Sequence, residues 1–210
     1  GRSALLDDVL RRVDRSATRG EKHFVLLVGP RGVGKTHFIS LLAHRLETAP
    51  QFANARKKLR VAHLNEEEWS VASFLDLLVR VLQALAAGSK DRKLSKRIEE
   101  VYAAFSKAPD AALATAERLL IETVGDHVLL LLCENLTDLF EGLGEEGQKR
   151  WRSFIQEHPF WVIVATAPAL FGAVSLQSSP FYNFFTIRSL ERLGLDDAIE
   201  DSLRLGRLAA

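Results

Sequence analysis

Methionine is absent from the 210 residues, and cysteine occurs once, at Cys133. One thiol excludes an intramolecular disulfide, and no Cys/His pair has the spacing of a zinc site. Such a chain reads as the product of a reducing compartment, which predicts a cytoplasmic location. A charge excess of either sign is also lacking: 28 Lys and Arg stand against 27 Asp and Glu. No global field therefore argues for nucleic acid or membrane, and such a partner would have to meet a local patch. Long apolar runs are missing too. Segments such as Val128 to Cys133 are far too short to cross a bilayer, and the first residues lack a secretory pattern. The chain opens on Gly1, which predicts trimming or processing at that end. There is no internal repeat and no low-complexity linker. What remains is an ordinary globular composition, 47% apolar and 26% charged, in a length that supports one sizeable core.

Apolar periodicity supplies the elements. Leu5, Leu6, Val9, Leu10 and Val13 predict a helix over 3–15, with Ser3 as its N-cap. A short apolar strand over 23–28 runs straight into glycines and a proline, and a helix over 37–46 follows. A second strand is expected over 59–64, after Arg56-Lys57-Lys58. Three helices come next, over 70–87, 92–105 and 110–124. The last lies between Pro109 and Gly125, the usual asymmetry of helix boundaries. Residues 128–133 are apolar on both faces, as an interior parallel strand requires. A helix over 145–157, strands over 160–166 and 184–187, and a terminal helix over 195–208 complete the reading. Strands alternate with helices, so the fold class is α/β: three layers around a mainly parallel five-stranded sheet. The core is expected over 1–194, with 88–109 a candidate helical insertion and 195–210 the start of a lid or C-terminal helix.

Gly29-Pro30-Arg31-Gly32-Val33-Gly34-Lys35-Thr36 fits the pattern G-x-x-x-x-G-K-[ST]. The context fits as well, since a strand ends at Val28 and a helix opens near Gly34. Glycines permit positive φ and close backbone approach, so their N–H groups can cradle a phosphate. The helix N-terminus adds its positive end. Lys35 supplies a mobile cation for the β- and γ-phosphates, and Thr36 a hard hydroxyl oxygen for Mg²⁺. His37, next in the chain, is placed to flank the nucleotide. The guanine-reading pattern Asn-Lys-x-Asp does not occur, which favours ATP over GTP. The expected cofactors are ATP and Mg²⁺.

A second apolar run, Val128 to Cys133, ends at Glu134-Asn135. P-loop ATPases place a metal-holding Asp at such a strand end and often a water-orienting Glu beside it. Here one carboxylate serves, and two registers are open. In one, Glu134 takes the metal position and Asn135 the catalytic one. In the other, Cys133 replaces the metal ligand and Glu134 is the base. A neutral thiol is a poor partner for Mg²⁺, which favours the first. Either way one acidic role lacks its residue, so slow hydrolysis is expected. Asp138, one helical turn on, offers a further carboxylate. The fourth strand ends in Ala165-Thr166-Ala167, where Thr166 can reach the γ-phosphate or the attacking water; it is equally suited to capping the next helix.

With these pieces placed, the chain resembles an AAA+ ATPase, and its spacing is similar to the origin-recognition and initiator-like branch and to the STAND and transposition-regulator ATPases. The matching segments are Gly29 to Thr36, Leu130 to Asn135 with Leu136 to Phe140, Val162 to Thr166, and Ser179 to Phe185 running on to Leu193. The resemblance implies a Walker A at Gly29 to Thr36, a Walker B at Glu134 and a sensor-1 at Thr166. It also implies a homo-oligomer in the full-length protein, with nucleotide between protomers. Asn183 stands where that branch commonly has an arginine before the Phe, and Arg192 replaces a Pro. The chain stops where a helical lid would begin, so the lid is expected to be absent or truncated.

Other features carry less. Arg56-Lys57-Lys58-Arg60 and Arg92-Lys93-Lys96-Arg97 can meet phosphates of DNA, but no aromatics interleave for base stacking, and a solvated face serves as well. Glu66-Glu67-Glu68 suits a helix start. Two functions compete: an ATPase that remodels or assembles with a DNA or protein partner, and a nucleotide-gated switch with slow or no hydrolysis. The thin acidic pair at Glu134-Asn135 favours the switch; Lys35, Thr36 and Thr166 keep the ATPase. No membrane partner is expected.

Overall fold

The computed structural model describes residues 1–65 and 71–191. Its elements are α1 (Arg2–Arg19), β1 (Phe24–Val28), α2 (Lys35–Thr48), a 3₁₀ turn (Pro50–Phe52), α3 (Ala53–Lys58), β2 (Leu59–Leu64), α4 (Phe74–Ser89), α5 (Arg92–Phe105), α6 (Pro109–Val124), β3 (Val128–Cys133), α7 (Leu136–Glu157), β4 (Trp161–Ala167), α8 (Gly172–Ser175) and β5 (Thr186–Ser189). The five described strands form one sheet in the order β2-β3-β4-β1-β5, every pairing parallel.

Strand alternation divides the core in two. Val25, Leu27, Leu130, Leu132, Val162 and Val164 face a layer built by α1, α2 and α3. Leu26, Leu129, Leu131, Cys133, Ile163 and Ala165 face α4 to α7. Successive strand residues point to opposite faces, so a strand clothed on both sides must be apolar throughout. That is the physical reason β3 and β4 read as unbroken apolar runs.

Local chemistry sets the element ends. α1 stops at Gly20, whose left-handed φ of 72° lets its N–H reach the Ser16 carbonyl. At the start of α4 the Ser73 hydroxyl accepts from the Asp76 N–H, and the Asp76 carboxylate accepts from the Ser73 hydroxyl and the Ala72 N–H. This reciprocal box fixes the first turn. Asp91 caps α5 through the N–H groups of Lys93 and Leu94. α7 breaks at Gly144, with φ 60° and ψ 180°, which leaves a helix from 145 onward as its periodicity predicted.

Several expectations need correction. Ser3 lies inside α1, which opens at Arg2 with Gly1 in the cap position. α4 begins at Phe74, not 70, because Ser73 and Asp76 make the stronger start. β5 falls two residues later than expected, since the aromatics Phe181, Phe184 and Phe185 pack into the α4–α7 core instead of pairing as a strand. α3 and α8 were not anticipated; α3 is too short for periodicity to show. α5 runs through the stretch 88–109 and buries Leu94, Ile98 and Val101. Glu66 to Trp69, Arg192, and the lid or terminal helix read over 195–210 lie outside the described residues.

Candidate functional site

Strand order brings distant residues together. β3, β4 and β1 are neighbours, so the chain just past Val28, just past Cys133 and at Thr166 meets at one end of the sheet. The carboxyl ends of parallel strands are where open α/β sheets place their ligands.

From β1 the chain enters residues 29–34 and then the first turn of α2. Gly32 and Gly34 take left-handed backbone, at φ 77° and 89°, where an L side chain is strained. Gly29 is required for a different reason: a Cβ there would lie 2.6 Å from the Leu190 carbonyl oxygen. The loop is pinned from both sides. The Gly29 N–H donates to the Ala167 carbonyl at 3.1 Å, and the Leu190 N–H to the Val28 carbonyl at 2.7 Å. Val33 is buried under the loop, while Pro30, Arg31 and Gly32 are exposed. Lys35 Nζ donates to the Gly29 carbonyl at 2.7 Å and the Pro30 carbonyl at 3.0 Å, which holds the ammonium against the loop. His37 is exposed on α2 and lines a recess of about 30 Å³ with Arg2 and Ser3.

Glu134 is the centre of the polar network. It is 4% exposed, and its two carboxylate oxygens have different partners. The Thr36 hydroxyl donates to Oε2 at 2.5 Å, and Oε1 lies 3.0 Å from His63 Nε2. Ion-assisted contacts of this length are the strong ones. The Glu134 N–H donates to the Leu64 carbonyl at 3.0 Å, which extends the β2–β3 ladder one step past the strand. Alternation then decides the neighbours. Cys133 faces the opposite layer, fully buried in the α4–α7 core, and burial with the Glu134 charge beside it pushes its thiol well above the ordinary value. Asn135 takes a left-handed φ of 55° at the start of α7. Its N–H donates to Thr166 Oγ1 at 3.1 Å, and its side-chain amide donates to Asp138 Oδ2 at 2.6 Å. Thr166, 2% exposed, thus ties the tip of β4 to the residue after Glu134.

Every residue singled out from the sequence, Gly29 to His37, Glu134, Asn135 and Thr166, therefore lies at the same end of the sheet. Two further residues there were not foreseen. His63 is one of six histidines, five of which the sequence left without a nameable partner, and only the β2–β3 register places it beside Glu134. Arg2 donates to the Val33 carbonyl in the loop and to the Glu191 carbonyl at 2.8 Å, so it bridges the loop to the chain leaving β5. No periodicity or motif marks such a contact.

Residues 1–164 match the family model described as the AAA ATPase domain. The chain belongs to that family. Similar solved structures include the Aeropyrum pernix ORC1 protein in complex with DNA, at 19% identity and a TM-score of 0.61, covering 97% of this chain and 49% of that one. The Aeropyrum pernix ORC2 protein, in ADPNP and ADP complexes, gives 13% and 0.62 over 89% of this chain and 46% of that one. Cdc6p from Pyrobaculum aerophilum gives 14% and 0.58 over 97% and 48%. At these identities the likeness is one of fold, and the chain spans about half the length of the structures it resembles. Among curated proteins no sequence matches. As an AAA ATPase domain the chain has the α/β P-loop fold and belongs among nucleotide-binding ATPase domains. No described helix is long and apolar enough to cross a membrane.

Proposed function

We propose that this AAA ATPase domain binds ATP with Mg²⁺ through Gly29 to Thr36, and that binding is coupled to assembly or remodelling of a partner. The observation that carries the metal assignment is the contact of 2.5 Å between Thr36 Oγ1 and Glu134 Oε2. Both groups offer hard oxygens, the donors Mg²⁺ takes, with phosphate and water completing its shell. Bound there, Mg²⁺ would neutralise charge on the β- and γ-phosphate oxygens. The backbone N–H groups of the loop and Lys35 would orient the phosphates. Cys133, turned into the opposite core, offers nothing to the metal, so Glu134 takes the metal position and Asn135 the one beside it.

A second reading rests on Asn135. The position beside the metal-holding carboxylate has no acid, and the Asn135 amide is engaged with Asp138. With no strong base there, turnover is slow, and the domain acts as a nucleotide-gated switch. Thr166, bonded to the Asn135 backbone, is the candidate to sense the γ-phosphate. The partner class is protein or DNA; the DNA complex of the ORC1 relative supports the latter. Self-association of the full-length protein with ATP fits the family.

Calorimetric titration of ATP with Mg²⁺ into Lys35→Ala tests the loop, and unchanged affinity would sink it. Glu134→Gln tests the register. Lost Mg²⁺-dependent affinity supports the metal role. Intact affinity with turnover lowered ~10²–10⁴-fold, as for a lost general base, would instead make Glu134 the base.

A further inference from the structure

β2 lies at one end of the strand order, so one of its two edges pairs with no described strand. Leu64 spends its carbonyl on β3, accepting from the Glu134 N–H. In a parallel ladder the backbone groups of alternate residues point to the same side, so Arg60 and Ala62 also turn toward β3. Leu59, Val61 and His63 then turn their N–H and C=O groups to the open edge. Such a row is a template for another strand.

The edge borders a cleft of about 480 Å³ at the end of the sheet remote from the phosphate loop. Its apolar lining comes from Leu46 on α2, Leu59 and Val61 on β2, and Leu85 on α4. Val61 is 40% exposed, matched among the described aliphatic strand residues only by Ile187 on β5 at the opposite edge of the sheet. The charge around the cleft is one-sided. Arg60 lines it, and Lys57, Lys58 and Lys90, chain neighbours of the lining residues Arg56, Leu59 and Ser89, are exposed; none of the four forms an ion pair among the described residues. Arg56, also lining it, is committed to the Leu46 and Ala49 carbonyls. Of the nearby acids, Asp91 is engaged in capping α5, which leaves Glu47. A strand edge beside an aliphatic floor recognises peptide backbone and alternate side chains; a basic rim recognises carboxylates. The floor has no aromatic on which a base would stack, which favours peptide over nucleic acid.

We propose that the open edge of β2 docks an acidic, extended segment of a partner protein, which adds as a further strand with its aliphatic side chains in the cleft. The proposal does not depend on nucleotide, so its test is made without any. The probe is a short labelled peptide alternating glutamate and valine, followed by fluorescence anisotropy. Binding should saturate, weaken with salt, and slow amide exchange at Val61 and His63. Arg60→Glu should weaken it about tenfold or more. Should Arg60→Glu disturb the strand, Lys57→Glu/Lys58→Glu on α3 gives the same readout without touching β2. A peptide N-methylated at alternate residues keeps its charge and loses its donors. If it binds as well as its parent, strand addition is wrong. If a single-stranded oligonucleotide binds through Arg60 and the peptide does not, the edge is a nucleic-acid surface and the proposal fails. If the chain dimerises without peptide and Arg60→Glu disperses it, the occupant is a second copy, and the proposal fails equally.

Discussion

Cys133 and Glu134 are consecutive, yet one lies in an apolar core and the other holds the polar network. Strand alternation at the end of β3 does this with no help from the rest of the molecule. The consequence for Cys133 is a thiol that stays protonated when folded, because burial first and the Glu134 charge second oppose the thiolate. An unfolded thiol ionises near its ordinary value of 9.0. Below that pH both states keep the proton and the thiol adds no pH dependence; above it the unfolded state sheds protons that the folded state retains, and stability falls as pH rises. Urea midpoints from pH 7 to 10.5 should show this alkaline decline. Cys133→Ala should lose about 1 kcal/mol at pH 7 through the small cavity, yet show a flatter alkaline limb. An equally steep limb would place its origin elsewhere. Native Cys133 should also resist alkylation until the chain unfolds. Asn135 is explained on the same scale. Its φ of 55° is one that Asn tolerates and most residues do not, so a glutamate there would meet backbone strain as well as a changed role. Asn135→Ala should cost about 1–2 kcal/mol, read from thermal unfolding, through that strain and the lost Asp138 bond.

At the scale of elements, the packing of α7 against the start of α4 turns on Gly142. A Cβ there would fall 1.8 Å from the Val71 carbonyl oxygen, and the obstacle is backbone, not a side chain that can swing away. Gly142→Ala should therefore destabilise by about 2 kcal/mol or more, although alanine is the better helix former. Gly88, where a Cβ meets nothing within 4 Å, is the control. Gly88→Ala should be neutral or stabilising by about 0.5–1 kcal/mol, and the two melting temperatures should move apart. Nothing in the sequence separates these two glycines, since both fall just outside the helices expected over 70–87 and 145–157, and the difference is made by a neighbour distant in the chain. The same distinction governs what could be read beforehand. β2, β3, α5 and the helical stretch from residue 145 depend on local pattern and could be read directly, whereas the part of α7 before Gly144 was not read. The loop of Gly29 to Thr36 could be read because phosphate chemistry demands those residue types in sequence. His63 beside Glu134 and Arg2 on Val33 come from strand register and chain return, which leave no trace at short range. β5 was displaced because Phe184 and Phe185 suit a strand by propensity but bury more area in the aromatic cluster with Phe181.

For the whole molecule, the site stands on four adjacent strands, β2, β3, β4 and β1, while the loop is also tied to α1 and to the chain after β5. Arg2 reaches Val33 and Glu191, and Leu190 donates to Val28. A ligand that fixes the loop should therefore stabilise the fold as a unit, through its affinity for the folded state alone. At about a hundred times its dissociation constant that linkage is worth roughly 2.7 kcal/mol. For a chain of this size it converts to a rise in melting temperature of roughly 5–10 °C. ATP with Mg²⁺ should give that rise in differential scanning fluorimetry. ATP with a chelator should give less, because Thr36 and Glu134 would lose the ion they are proposed to hold, and GTP should give less as well. Lys35→Ala should abolish the shift, because it removes the ammonium that is proposed to orient the phosphates. Glu134→Gln should shift with ATP no more than the wild type does under chelation. If the wild type shows the same rise with and without the chelator, the Thr36–Glu134 pair is a structural contact and the metal assignment falls, even with the nucleotide loop intact.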